Sequence, residues 1–124
     1  MSSVGTNHRS VSGRHLVLDL FGCDPGLLDN PTSLRSLLTR AATEAGAHVL
    51  EVSSHRFEPH GVTMVLLLAE SHLAIHTWPE ERFAAMDIFT CGDTMRPEAA
   101  AEIVAEGLRA ESYAPTTIAR GGER

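Results

Sequence analysis

Between Glu70 and Cys91 the sequence reads ESHLAIHTWPEERFAAMDIFTC, which gathers a serine, two histidines, a cysteine and the carboxylates Glu70, Glu80, Glu81 and Asp87. These residue types carry metal binding, nucleophilic attack and proton transfer. Metal binding is the first chemistry to weigh. His72 and His76 are four apart, a spacing that suits one zinc ion on a helix. The alternation around them and the Trp78-Pro79 stop favour a strand. On a strand their Cα atoms lie about 13 Å apart, too far for one ion to bridge easily. Nucleophilic chemistry is the second. Cys91 ends a strand before Gly92, where a base such as His76 could lower the pKa of an exposed thiol. A free cysteine is more often a small buried apolar residue. Ser71 reads equally as an ordinary hydroxyl at a strand junction, and His76 as a hydrogen-bonded core histidine. Spacing and periodicity alone do not single them out.

The elements around this segment set where such groups can sit. Arg14 to Phe21 is apolar and β-forming, a first strand. Gly22 to Pro31 carries Gly, Asp, Asn and Pro and reads as a loop. From Thr32 to Ala45 the apolar residues Leu34, Leu37, Leu38, Ala41, Ala42 and Ala45 recur at helical period, and Gly46 supplies the stop. His48 to Phe57, Val62 to Ala69, His72 to Trp78 and Phe83 to Thr90 read as four further strands. The fourth strand of the chain puts Leu73, Ile75 and Thr77 on one face and His72, Ala74 and His76 on the other. A second helix follows Pro97, with Ala100, Ile103, Val104, Gly107 and Leu108 on its inner face. Ser112 to Ala119 reads as an edge strand, because Pro115 cannot serve a central one. The connections between consecutive strands are too short for crossover helices, so the strands pair antiparallel. The expected fold is an α+β two-layer sandwich, a mainly antiparallel sheet covered on one face by two helices. An apolar second face would need a cover, which a second copy can provide.

Composition narrows the classes. A chain of 124 residues is one domain by length. Residues 13–119 read as that domain, with residues 1–12 a disordered tail and residues 120–124 a polar tail. The net charge of −6 argues against a nucleic-acid partner and is compatible with a cationic substrate. No run approaches the ~18 apolar residues of a membrane span, and the run Val65 to Ala69 is strand-sized. The polar start lacks the apolar core of a signal peptide. Cys23 and Cys91 make no disulfide framework, which leaves the reducing cytoplasm as the expected compartment.

Three stretches carry a resemblance. ESHLAIHTWPE followed by AAMDIFTCG, GRHLVLDLFGCD at Gly13 to Asp24, and HRFEPHGVT at His55 to Thr63 together resemble the short prokaryotic S-adenosylmethionine decarboxylase proenzymes. The resemblance runs from about Gly13 to Leu108. It implies self-cleavage at Glu70-Ser71, giving a β chain of residues 1–70 and an α chain of residues 71–124. The Ser71 hydroxyl would attack the Glu70 carbonyl, and Ser71 would end as a pyruvoyl group, the cofactor that forms a Schiff base with the substrate. His76 matches the proton acceptor in processing, Cys91 the proton donor in decarboxylation, and Thr63 a hydroxyl that supports processing, where the family commonly has Ser. Phe57 and Trp78 match aromatic positions near the substrate, with core packing as the alternative. Glu80 matches an acid that would accept from ribose hydroxyls, with a solvated loop charge as the alternative. Asp19 falls where the family often has Glu.

The implied activity is decarboxylation of S-adenosylmethionine for spermidine synthesis, by a homodimer of processed protomers and without a metal. His60, Met64 and Glu81-Arg82-Phe83 depart from the family's usual residues. Met64 and His60 would flank the pocket wall, which keeps ornithine or arginine open as alternative substrates. A non-catalytic binding or metal-binding module would require the chain to stay whole.

Overall fold

The computed structural model describes residues 11–122. Its elements run β1 (Ser12–Phe21), α1 (Pro25–Leu28), α2 (Pro31–Glu44), β2 (Val49–Arg56), β3 (Val62–Leu68), β4 (Ser71–Trp78), a 3-10 turn (Pro79–Glu81), β5 (Phe83–Cys91), α3 (Pro97–Gly107) and β6 (Ser112–Gly121). The strands form one sheet in the order β2-β3-β4-β5-β1-β6. Every neighbouring pair is antiparallel. β2 to β5 form a meander, and β1 slots between β5 and the last strand.

Strict alternation builds the core. Leu16, Leu18 and Leu20 of β1, Met64, Leu66 and Leu68 of β3, Leu73 and Ile75 of β4, and Ala84, Met86 and Ile88 of β5 are buried on the helix side. Period-two burial on several adjacent strands makes one continuous apolar floor. Leu34, Leu38, Ala41 and Ala42 of α2 and Ala100, Ala101, Val104 and Ala105 of α3 close over it. α3 is therefore turned slightly from the expected face: Ala101 and Ala105 are buried, and Ile103 is only partly so. The two helices touch closely because Gly107 has no side chain. A Cβ there would lie 2.3 Å from Leu37 Cδ1. Gly46 ends α2 at φ 99°, and a Cβ on it would meet the Thr94 carbonyl oxygen at 2.2 Å.

The α+β sandwich and the edge position of the Pro115 strand are as the sequence predicts. The boundaries differ most at three places. The Gly22–Pro31 loop contains α1, because the Asp24 carboxylate accepts from the Gly26 and Leu27 N–H groups and caps a helical turn. Ser12, expected in the tail, opens β1, and Arg120 and Gly121, also expected in a tail, close β6. Ladder pairing of Ser12 with Gly121 and of Gly13 with Arg120 holds these residues in the sheet. Val11, also expected in the tail, is exposed and accepts from the Gly122 N–H at 2.7 Å, and residues 1–10 and 123–124 of the expected tails lie outside the described residues.

Among the described residues no helix covers the second sheet face. Val65, Leu67, Trp78 and Ile118 are exposed large apolar residues. His72, His76 and Trp78 of β4 alternate onto this open face, whereas Ser71 falls in the helix-side row with Leu73 and Ile75.

Candidate active site at the two ends of strand β4

The Glu70-Ser71 linkage lies in the tight turn from β3 to β4. Glu70 is anchored. Its carboxylate accepts from the His48 backbone N–H at 3.0 Å and the Thr94 hydroxyl at 3.3 Å, and pairs with His48 Nδ1 at 2.8 Å. Its side chain is 9% exposed. The His48 backbone N–H, then the His48 ring, hold the carboxyl down from 4.5 to about 2. The Glu70 carbonyl oxygen accepts from the Cys91 backbone N–H at 3.2 Å. Ser71 has φ 153°, a region that residues with a Cβ occupy only under strain. One residue of the turn is thus tied down, its carbonyl is polarised by a donor, and the next is twisted.

Ser71 stands opposite Thr90 in the β4–β5 register. Thr90 is 1% exposed, and its hydroxyl has no hydrogen-bond partner among the described residues. Cys91 is half-buried and reduced. A cleft of about 550 Å³ opens beside Thr90 and Cys91, walled also by Gly13, Arg14, Gly92 and Asp93.

On the open face next to this junction, three strands contribute a cluster. Asp87 Oδ2 lies 2.8 Å from His15 Nε2 and 2.8 Å from His72 Nε2. Burial pushes the Asp87 carboxyl up, and hydrogen bonds from His15 and His72 outweigh it, leaving a net lowering. These three are the set among the described residues whose ligand atoms come within 4.8 Å of one another, as a metal site needs. Arg120 argues against that use. Its Nη1 donates to His15 Nδ1 at 3.2 Å, so the neutral ring carries its proton on Nε2, the atom a metal would need bare. The arginine also brings a positive charge. The cluster reads as a closed hydrogen-bond chain from Arg120 to His72, the residue after Ser71.

The far end of β4 holds the other candidates. His76 Nδ1 lies 3.1 Å from the Thr63 hydroxyl, across the β3–β4 register. His76 is five residues along the strand from Ser71, about 16 Å at strand rise. Trp78 is 42% exposed and tilts against Phe83 with ring centroids 5.6 Å apart. Glu80, in the 3-10 turn, pairs with His60 at 3.0 Å, which ties the β4–β5 turn to the β2–β3 turn. Phe57 stands in that second turn, exposed and against His55. Asp19 lies in the same cross-strand row as His76, with small Ala85 between them. A cleft of about 390 Å³ on the open face runs from Asp19 and His76 to His15 and Asp87.

Within one chain, therefore, Glu70, Ser71 and Cys91 come together, and Thr63, His76, Trp78 and Glu80 gather at the opposite end. One expectation is corrected. Met64 is 1% exposed and packs into the helix-side core, because its strand parity points away from the open face. It walls no pocket there. Sequence reasoning missed His15, Thr90, His48 and Thr94, and counted Asp87 among the carboxylates of the reactive segment without giving it a role. Parity could have flagged two of them: Asp87 interrupts an apolar strand, and Thr90 places a hydroxyl in a core row.

The family model for S-adenosylmethionine decarboxylase matches residues 14–121. S-adenosylmethionine decarboxylase proenzyme of Parasynechococcus marenigrum (strain WH8102) is 49% identical over 108 residues, covering 87% of this chain and 84% of that protein. The proenzyme of the same name from Thermoanaerobacter sp. (strain X514) is 42% identical over 109 residues, 88% of each. The crystal structure of the adenosylmethionine decarboxylase from Aquifex aeolicus VF5 superposes with a TM-score of 0.81 at 32% identity, covering 93% of both chains. A Trypanosoma brucei AdoMetDC monomer shares the fold, with a TM-score of 0.61 at 14% identity, and this chain spans 45% of it. With nearly the whole sheet and both of its long helices inside the matched span, the chain belongs to the S-adenosylmethionine decarboxylase family.

Proposed function

We propose that this chain is a proenzyme that cuts itself between Glu70 and Ser71 and then decarboxylates S-adenosylmethionine, the product serving spermidine synthesis. The observation that carries the reading is the junction itself. Ser71 is strained at φ 153°, and the carbonyl before it accepts a backbone N–H at 3.2 Å. A peptide carbonyl is a poor electrophile, so a twisted linkage and an oxyanion donor are what an internal attack requires.

The chain's own residues supply the steps. Ser71 Oγ bonds to the Glu70 carbonyl carbon, and the bond from that carbon to the Ser71 nitrogen breaks, leaving an ester. The Cys91 N–H stabilises the oxygen that becomes negative on the way. A base removes the Ser71 α-proton, the Cβ–Oγ bond breaks, and Glu70 departs as a carboxylate. Water then replaces nitrogen at residue 71 and ammonia leaves, giving the pyruvoyl group. The residues present fit such a group, since Thr90 offers an unpartnered hydroxyl opposite it. The group supplies an electron sink for loss of carbon dioxide from the substrate. Cys91, beside the junction, returns a proton to the substrate carbon.

His76 is the proposed base in processing, with Thr63 orienting its ring. At about 16 Å along the strand it is out of reach of Ser71 in its own chain. A homodimer removes the difficulty. The bare open face of one chain, with its exposed Val65, Leu67 and Ile118, would cover the same face of another, and His76 of one copy would meet Ser71 of the other. Exposure of Phe57, Trp78 and Glu80 supports the two rings as stacking surfaces for adenine and the carboxylate as acceptor for ribose hydroxyls. No metal enters the reading, since Arg120 and the His15 tautomer oppose one. Ornithine and arginine lose support, because Met64 does not reshape the open face.

Intact mass spectrometry tests the cut. The expected result is two fragments, residues 1–70 and a pyruvoyl-capped 71–124, with Ser71→Ala left whole. Carbon dioxide release from S-adenosylmethionine tests the activity. Release by the wild type no faster than by Ser71→Ala overturns the reading.

A further inference from the structure

Thr90 occupies a core position. It follows Ala84, Met86 and Ile88 on the helix side of β5, all of them buried. A valine would fill the same space with no polar atom to satisfy. A hydroxyl buried without a partner lowers stability, so its presence asks for a use outside the resting chain. The other buried polar side chain makes the contrast. Thr77 donates to the Leu28 carbonyl at 2.8 Å and accepts from the Val62 N–H at 2.9 Å.

The register says where a partner for Thr90 could come from. Glu70 and Cys91 share a backbone hydrogen bond, so the next pair, Ser71 and Thr90, is the non-hydrogen-bonded kind. In that kind of pair the Cα atoms approach to about 4.5 Å and the side chains are closest. Cleavage remakes residue 71: a hydroxymethyl side chain and an amide nitrogen give way to a carbonyl acceptor at a new chain start.

We propose that Thr90 is a positioning residue: its hydroxyl is unpartnered in the intact chain and gains its acceptor at residue 71 once the chain is cut. There it fixes the orientation of the new carbonyl relative to Cys91. The proposal rests on the cleavage reading above. It makes the buried hydroxyl a burden on the precursor and a support for the mature protein.

Thr90→Val and Thr90→Ser, each made in the wild type and in the uncut Ser71→Ala background, separate these effects. In the uncut background Thr90→Val is expected to keep or raise Tm, since no bond is lost. In the cut protein it is expected to lower Tm and to reduce kcat about tenfold with KM within twofold, and Thr90→Ser is expected to recover most of both. An equal fall of Tm in cut and uncut chains, or a cut Thr90→Val protein with wild-type Tm and kcat, overturns the assignment. Should Thr90→Val not fold, Thr90→Ser against Thr90→Ala reads the same difference. The mass of the wild type tells the two levels apart. A whole wild-type chain overturns both readings, and a cut one with an indifferent Thr90 overturns this one alone.

Discussion

The two ends of β4 are built differently. At the Ser71 end the backbone is strained, the Glu70 carboxylate is nearly buried under three partners, and Thr90 hides an unpaired hydroxyl. At the Trp78 end the groups are exposed and lightly held: one contact joins Thr63 to His76 and one joins His60 to Glu80. Strain and burial concentrate where a bond has to be made reactive. Exposed aromatic and acidic groups concentrate where a ligand has to enter. On the proposed function, chemistry and recognition fall at opposite ends of a single strand, about 16 Å apart. In the proposed dimer, one copy of the chain would hold both halves of a site without holding a whole one.

The largest expected effect tests that division. His76→Ala alone should stay uncut. Co-expressed with Ser71→Ala, which keeps His76, about half of the His76→Ala chains should be cut, the fraction set by random pairing into a two-fold dimer. Denaturing gels read the result, and an absence of cut chains in the mixture breaks the two-copy arrangement.

Cys91→Ala comes next. Its side chain is distinct from the backbone N–H that faces the Glu70 carbonyl, so cutting should proceed and turnover should fall by about 10²–10⁴, the usual weight of a positioned acid. Wild-type turnover by the cut variant would remove Cys91 from the mechanism.

A smaller effect concerns the anchor. The Glu70 carboxyl is held near 2, below its ordinary 4.5. A lowered folded-state value contributes stability above pH 4.5 that is lost as pH falls from there through about 2. Thermal melts of the uncut Ser71→Ala chain should show Tm dropping across that window. Glu70→Gln in the same background should show a lower Tm at neutral pH and a flatter profile. Parallel profiles would mean that the His48 and Thr94 contacts do not hold the turn.

The smallest effect compares the two thiols. Burial pushes Cys23 up to about 11 despite the nearby Arg82 charge. Brief alkylation at pH 8 of the folded protein should modify Cys91 and spare Cys23, as peptide mass mapping would record. Equal labelling would place Cys23 in the open.

Much of this was readable from the chain. Apolar β-forming runs at residues 48–57, 62–69, 72–78 and 83–90, joined by connections too short for a crossover helix, imply antiparallel pairing. Leu34 to Ala45 at helical period supplies its cover. The resemblance over ESHLAIHTWPE marks Glu70, Ser71 and His76 directly. Residues far apart in sequence were not readable. His15 and Asp87 meet only because β1 enters the sheet between β5 and β6, and His48 reaches Glu70 only because β2 and the β3–β4 turn share an end of the sheet.

Local pattern therefore determined which residues alternate, where turns fall and which segment carries reactive types, because those follow from backbone sterics and the exclusion of apolar surface from water. Tertiary structure alone decided that His15, His72 and Asp87 meet, that Met64 faces the core, and that the Thr90 hydroxyl lacks a partner among the described residues. Distances across a sheet depend on strand order and register, and these are settled by the packing of the whole chain.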